Sequence, residues 1–232
     1  MTSIVQNLSR INERIRTACL RAGRDSSGVA LVGVTKMVPV DRIREGVQAG
    51  VRILGENYVQ EAVRKIQVLS DLPVSWHFIG HLQSNKARVA LESFSCIQTL
   101  DRQSLARELN RLAHKLGTRI SVLIQLNTGY EGSKSGLSPE SLGPFFDLIS
   151  PLDGLEVRGL MGLPPYYDDP EESRPHFRSL RLMLDRLRDR SATPEQLCEL
   201  SMGMSHDFEV AVEEGATMVR VGTALFGTRP TG

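Results

Sequence analysis

Cysteine is scarce in this chain: three residues in 232, at Cys19, Cys96 and Cys198. Thiols this far apart make neither a disulfide framework nor a CxxC metal knuckle, and three reduced side chains in a reducing compartment are expected. Charge of one sign is also lacking. Lys and Arg number 28 against 27 Asp and Glu, a net charge of +1. That excludes a charge-driven nucleic-acid or membrane-surface binder, since both need a basic excess, but it leaves room for a pocket that takes one small anion. No apolar run approaches the ~18 residues of a membrane span. No secretion signal is expected at the N-terminus, because Ile4, Leu8, Ile11 and Ile15 recur at helical spacing with charges between them. Ser3 and Gln6 suit a capping box at the start of that helix. A cytoplasmic protein is expected.

What is present is a regular alternation. Short apolar runs stand at Ala30–Thr35, Val51–Leu54, Trp76–Ile79, Ser95–Thr99, Ile120–Leu126, Leu155–Met161, Leu197–Ser201 and Met218–Val221. Each has strand length. Between them lie segments of helical period. Leu105, Leu109, Leu112 and Leu116 share one face, Leu142, Phe145 and Ile149 a second, and Phe177, Leu180, Leu184 and Leu187 a third. Ser138-Pro139 and Thr193-Pro194 place a capping side chain before a proline at a first helical position. Eight strand–helix units in about 200 residues predict an α/β fold, a (β/α)8 TIM barrel with an extra N-terminal helix. An open doubly wound sheet is the alternative that pattern alone leaves standing. One domain over residues 1–232 is expected. Gly129–Gly136 and Asp168–Arg174 read as loops, the first as a mobile one.

Barrels carry their chemistry at the C-terminal strand ends. Those ends hold Lys36, Glu56-Asn57, Gly80-His81, Asp101, Asn127, Met161, Ser201 and Gly222-Thr223. The set lacks a glycosidase's paired carboxylates and a metallohydrolase's histidine cluster. A strand-end lysine is ordinarily solvated, but one partly desolvated can attack an aldehyde as the neutral amine and form a Schiff base. Barrel phosphate sites are built by the loops after strands seven and eight. Here those loops contain Ser201-Met202-Gly203-Met204-Ser205 and Arg220-Val221-Gly222-Thr223-Ala224.

Other arrangements fail on geometry. In Gly129–Ser135, Ser133 stands where Walker A needs a glycine before the lysine, and Lys134 is read as a loop lysine at the barrel mouth. His77 and His81, read as one strand, would lie roughly 13 Å apart, too far to share a zinc. Ser205-His206-Asp207 reads as a helix N-cap with an acid near the positive end of the helix dipole, not as a triad. Arg181, Asp185 and Arg188 read as a solvated, salt-bridged helix face. No metal site is expected.

Several segments together resemble the pyridoxal phosphate homeostasis protein family, barrel-only relatives of the alanine racemase N-terminal domain. They are LVGVTKMVP (31–39), GENYVQE (55–61), WHFIGHLQSNK (76–86), SKSG (133–136), GLM (159–161), LSMGMS (200–205) with Asp207, and MVRVGTALFG (218–227). The resemblance implies that Lys36 binds pyridoxal 5'-phosphate as a Schiff base. Ser201, Gly222 and Thr223, with backbone around Met202 and Gly203, would hold the phosphate. Arg220 would face the pyridine nitrogen, and Asn57, His81 and Met161 would lie near the ring or the cofactor mouth. A protonated arginine there leaves the ring nitrogen unprotonated and makes the ring a weak electron sink.

The family lacks the racemase's C-terminal domain and dimer partner. Tyr166 and Tyr167 are read as loop cover, and no catalytic residue is assigned. The expectation is a monomer that buffers pyridoxal phosphate and delivers it to apo-enzymes. The alternatives are a pyridoxal-phosphate-dependent amino-acid racemase and a cofactor-free isomerase using Lys36. Gln98 and Thr99 stand where the family often has His-Ser, and Gly162 where a larger residue is common. Both departures are expected to lie away from the lysine and the phosphate loops.

Overall fold

The computed structural model describes residues 3–129 and 135–227. The expected reading of Ser133 and Lys134 lies outside the described residues. Eight parallel strands close into a barrel in sequence order: β1 Ala30–Val34, β2 Ile53–Glu56, β3 Ser75–Phe78, β4 Cys96–Leu100, β5 Ile120–Leu126, β6 Leu155–Gly162, β7 Glu199–Met204 and β8 Met218–Val221. Between successive strands run α2 Val40–Ala49, α3 Val59–Val68, α4 Ala87–Ser93, α5 Gln103–Leu116, α6 Leu142–Ile149, α7 Arg174–Arg190 and α8 Phe208–Glu213. Leading helix α1 spans Ile4–Arg21 and a short α9, Thr223–Phe226, follows β8. The open-sheet alternative falls because β1 pairs with both β2 and β8.

Helix α1 starts where its side chains dictate. Ser3 Oγ accepts from the Gln6 N–H at 3.2 Å, and Gln6 Oε1 accepts from the Ser3 N–H at 3.2 Å. Its apolar stripe, Ile4, Leu8, Ile11 and Ile15, is buried in the shell between helices and sheet. At ~25 cal/mol per Å2, such a stripe stabilises the shell by several kcal/mol. The same shell takes in the α5 and α7 faces, except that Leu116, in the last turn of α5, is 38% exposed.

Strand starts differ from expectation at β2 and β7. Val51 is buried, but its N–H closes the α2 turn onto the Gly46 carbonyl, so its apolar character marks packing and the ladder begins at Ile53. The two Xaa-Pro pairs open only three-residue 3-10 turns, and neither side chain caps a backbone N–H. The Ser138 hydroxyl meets the Ser141 hydroxyl instead. Asp207 precedes α8, yet its Oδ1 accepts from the Met204 N–H at 2.7 Å, closing the β7–α8 turn rather than capping the helix. Arg188 pairs with Asp185, while Arg181 reaches Glu214 at 3.6 Å.

The barrel interior is unusually polar. Cys96, Leu123 and Met161 form a small apolar cluster of their own. His77, Gln98, Ser201 and Arg220 are all buried. They alternate along their strands with Phe78, Ile97, Leu200 or Met202, and Val219 or Val221, which belong to the outer shell.

Candidate functional site

Two adjacent strands supply the core of the candidate site. In the β1–β8 register Val32 pairs with Arg220 and Gly33 with Val221. The next step sets Gly222 against Val34: a Cβ at Gly222 would lie 3.4 Å from the Val34 Cβ. Lys36 follows two residues beyond β1, half-buried. Lys36 stands in the turn that follows β1, at the C-terminal strand ends where the barrel mouth lies. One lysine, one guanidinium and the Gly222-Thr223 turn thus lie on or just beyond two adjacent strands.

Arg220 is 4% exposed, and among the described residues it makes no ion pair. Its Nη1–H donates to Ser201 Oγ at 2.6 Å and its Nη2–H to the Gly162 carbonyl at 2.9 Å. Burial pushes its pKa down to about 10, with the Asp207 carboxylate acting in the opposite direction, so it stays protonated near neutral pH.

Ser201 is fully buried and already committed on both sides. While accepting from Arg220, its hydroxyl donates to Gln98 Oε1 at 2.7 Å, and Gln98 Nε2–H donates to His77 Nδ1 at 2.9 Å. The direction of this chain follows from its first member. A guanidinium can only donate, so Ser201 must pass its proton to Gln98, and Gln98 must turn its amide to His77. His77 therefore accepts at Nδ1 and is neutral. Burial pushes its pKa down to about 4, in the same sense. Two expectations are corrected here: Gln98 bonds Ser201, and the Gly162 carbonyl holds Arg220. Both departures from the family pattern therefore sit in the candidate site. A Cβ at Gly162 would lie 2.8 Å from Leu180 Cδ2, which explains the small residue.

The hydroxyl positioned over the β8 turn is that of Ser205. It is half-buried, and its Oγ accepts from the Ala224 N–H at 3.4 Å. Thr223 is exposed beside it. Of the other expected residues, the Met202 side chain is buried in the outer shell. Gly203 has φ +85°, and a Cβ there would lie 2.5 Å from the Ala211 Cβ, so it is required by β7–α8 packing. Met161 lies inside the barrel with Cys96 and Leu123.

Asn57 and His81 line a mouth cavity of about 350 Å3 together with Gln125, Asn127, Tyr166 and Met204. That cavity opens over β2, β3, β5, β6 and β7. The pair β8 and β1 lies next to it, between β7 and β2 in the closed ring. Asn57 Oδ1 is buried without a hydrogen-bond partner. His81 sits beyond β3 rather than on it, with Nδ1 3.3 Å from Ser135 Oγ and 3.7 Å from Asp101 Oδ2. Tyr167 Oη lies 2.8 Å from His176 Nε2 and anchors its loop, whereas Tyr166 is 70% exposed at the rim.

Behind Lys36, outside the barrel wall, lies a second buried polar group that motif reading passed over. Lys65 Nζ–H donates to the Thr35 carbonyl (2.6 Å), Glu56 Oε1 (2.8 Å) and Glu61 Oε1 (2.6 Å). Burial raises the Glu56 carboxyl above the ordinary range, against opposing hydrogen bonds from Lys65 and Thr35. The i,i+4 spacing of Glu61 and Lys65 was the available signal. Ser205, expected in a helix N-cap run, instead accepts from the Ala224 N–H across the β8 turn.

The profile of the alanine racemase N-terminal domain family matches residues 6–230. The pyridoxal phosphate homeostasis protein of Aquifex aeolicus is 47% identical over 97% of this chain and 97% of its own length. That of Escherichia coli K12 is 40% identical over 99% and 98%. The structure of PipY from Synechococcus elongatus with PLP bound superposes with a TM-score of 0.84 at 38% identity, covering 97% of this chain and all of that one. A Clostridium difficile alanine racemase shares the fold at TM-score 0.73 and 16% identity, with 57% of its length covered.

Proposed function

This chain belongs to the pyridoxal phosphate homeostasis protein family, within the alanine racemase N-terminal domain fold, and on that footing we propose that it binds, buffers and delivers pyridoxal 5'-phosphate. The observation that supports the reading is the β1–β8 pairing, which sets Arg220 and the Gly222-Thr223 turn beside the strand that Lys36 follows. The donor set fits the cofactor. A buried guanidinium without a carboxylate partner suits a neutral ring nitrogen, and a hydroxyl-and-amide turn suits a phosphate monoester. When bound, the cofactor would supply an aldehyde carbon open to attack by the Lys36 amine.

In this proposal Lys36 makes the covalent attachment. Ser205, Thr223 and the N–H groups of the Gly222-Thr223 turn hold the phosphate. The fully committed Ser201 hydroxyl holds Arg220 instead of the phosphate. Asn57 and His81 border the ring from the cavity side. Arg220, protonated near neutral pH, donates to the ring nitrogen without giving up its proton, so carbanion chemistry gains little and storage is favoured over turnover. The protein works as a cytoplasmic monomer, and apo-enzymes that need the cofactor receive it.

The test is spectroscopic and then kinetic. Purified protein should show near-visible absorbance from lysine-bound cofactor, and Lys36→Ala should abolish it. Labelled cofactor should reach an apo-enzyme faster from the protein than by release into a trap. Unchanged absorbance in Lys36→Ala defeats the binding reading. Transfer no faster than free release defeats delivery, and alanine racemisation at enzyme-like rates defeats the carrier reading.

A further inference from the structure

Lys36 occupies the second position of a tight turn. The Val38 N–H donates to the Thr35 carbonyl at 2.9 Å, with Lys36 and Met37 between them. Met37 has φ +59°, the one positive φ outside glycine among the described residues. A turn with left-handed φ at its third position normally recruits glycine or asparagine there. A methionine, with its side chain 60% exposed and so not held by packing, needs another source of stability.

That source lies on α3. Glu61 Oε1 accepts from the Met37 N–H at 2.7 Å and from Lys65 Nζ at 2.6 Å. Lys65 in turn donates to the Thr35 carbonyl. One ion pair therefore grips the peptide groups on both sides of Lys36. Thr35 anchors the whole from below, its Oγ1–H donating to Glu56 Oε1 at 2.6 Å. Glu56 is 0% exposed and also pairs with Lys65, so the clamp is fixed to β2 as well as to α3.

We infer that Glu61 and Lys65 are positioning residues that hold the Thr35–Val38 turn in its strained form and thereby aim Lys36 at the barrel mouth. The inference rests on Lys36 as the cofactor lysine. Neither residue touches the cofactor, and their effect passes through the backbone. Glu61 is the member to remove. Its side chain is 27% exposed, and its loss leaves Lys65 paired with Glu56, so the fold survives.

Glu61→Ala should release bound pyridoxal phosphate about tenfold faster than wild type, the effect of one charge-assisted hydrogen bond. In cofactor-free protein its Met37 amide should exchange with solvent at least about tenfold faster. Met37→Gly supplies the left-handed φ without strain. By itself it should bind as wild type does. In the Met37→Gly/Glu61→Ala pair it should restore slow release, a rescue that a general packing defect would not show.

Release from Glu61→Ala within twofold of wild type, an unchanged Met37 exchange rate, or a double variant as leaky as Glu61→Ala overturns the clamp. A wild-type protein without a borohydride-trappable Lys36 adduct overturns the cofactor reading and the clamp's purpose with it. An adduct in wild type with no Glu61 effect overturns the clamp alone.

Discussion

Replacing Gln98 with leucine removes the middle of the chain from Arg220 to His77 while nearly conserving volume. The Ser201 hydroxyl loses its acceptor and His77 Nδ1 its donor, both inside a barrel where Gln98 and Ser201 are 0% exposed. A buried polar group left unsatisfied costs roughly 1–3 kcal/mol, so two of them cost about 3 kcal/mol once the added apolar contact is credited. For a chain of this size that is a fall in Tm of about 6–12 °C. Thermal and urea unfolding of the cofactor-free protein measure it. Gln98→Glu separates bonding from volume. It still accepts from Ser201 but offers no N–H to His77, so at pH 8 it should leave one polar group unsatisfied where leucine leaves two. It should then recover as the pH falls, because a protonated His77 would donate to it. A leucine variant within ~1 kcal/mol of wild type would refute the idea that these buried groups depend on one another's hydrogen bonds.

Acid should weaken the wild type before its carboxylates titrate. His77 binds its proton near pH 6.5 when unfolded and near 4 when folded, so its contribution is complete above 6.5 and is lost as the pH falls toward 4. The loss is at most about 3 kcal/mol. Urea midpoints should show this slope, and His77→Leu should flatten it; an unchanged slope in His77→Leu would count against the assignment. Arg220→Met should leave the cofactor-free protein at least as stable, because it removes a buried charge without an ion-pair partner, while weakening pyridoxal phosphate binding about tenfold or more. Titration calorimetry and melting on one preparation test both halves. Gly203→Ala, with its Cβ 2.5 Å from the Ala211 Cβ and 2.9 Å from Phe208 Cα, should cost about 3 kcal/mol. Gly23→Ala has φ +64° but nothing within 4 Å, so it should cost only about 1 kcal/mol in unfolding experiments.

The barrel was legible because burial in this fold follows the chain's own periods. Ile120–Leu126 and Met218–Val221 form strands at the predicted bounds, where apolar residues and ladder coincide. Bounds shifted where the two separate, as at Val51, which packs but closes a helix turn, and at Glu56, a polar residue inside a strand. The lysine and the β8 turn were legible as strand ends. The buried polar chain was not, since it joins β3, β4, β7 and β8, and no spacing along the sequence reports which inward-facing residues meet across a closed barrel. Ser201 shows the consequence. In sequence it is a serine at a strand end expected to hold phosphate, but in space its hydroxyl is used by Arg220 and Gln98, and the one over the β8 turn belongs to Ser205.

Two buried polar assemblies flank β1, and they answer different needs. Outside the wall, Lys65, Glu56 and Glu61 grip peptide groups and set where Lys36 stands. Inside, His77, Gln98 and Ser201 orient a guanidinium held without a carboxylate partner. Apolar residues of equal volume would in general stabilise either region better, because desolvation of charge is costly and rarely recovered in full. On the proposed function, their placement trades stability for orientation at both ends of the cofactor. A carboxylate beside Arg220 would satisfy the guanidinium and stabilise the empty barrel, but it would compete with a ring nitrogen for the same N–H groups. Leaving that partner out costs the empty protein stability that the ligand can restore, so the cofactor-loaded form should melt well above the empty one. In Arg220→Met that gap should narrow chiefly because the empty form has gained stability. A gap that narrows because the empty form has lost stability would refute this account of the buried arginine.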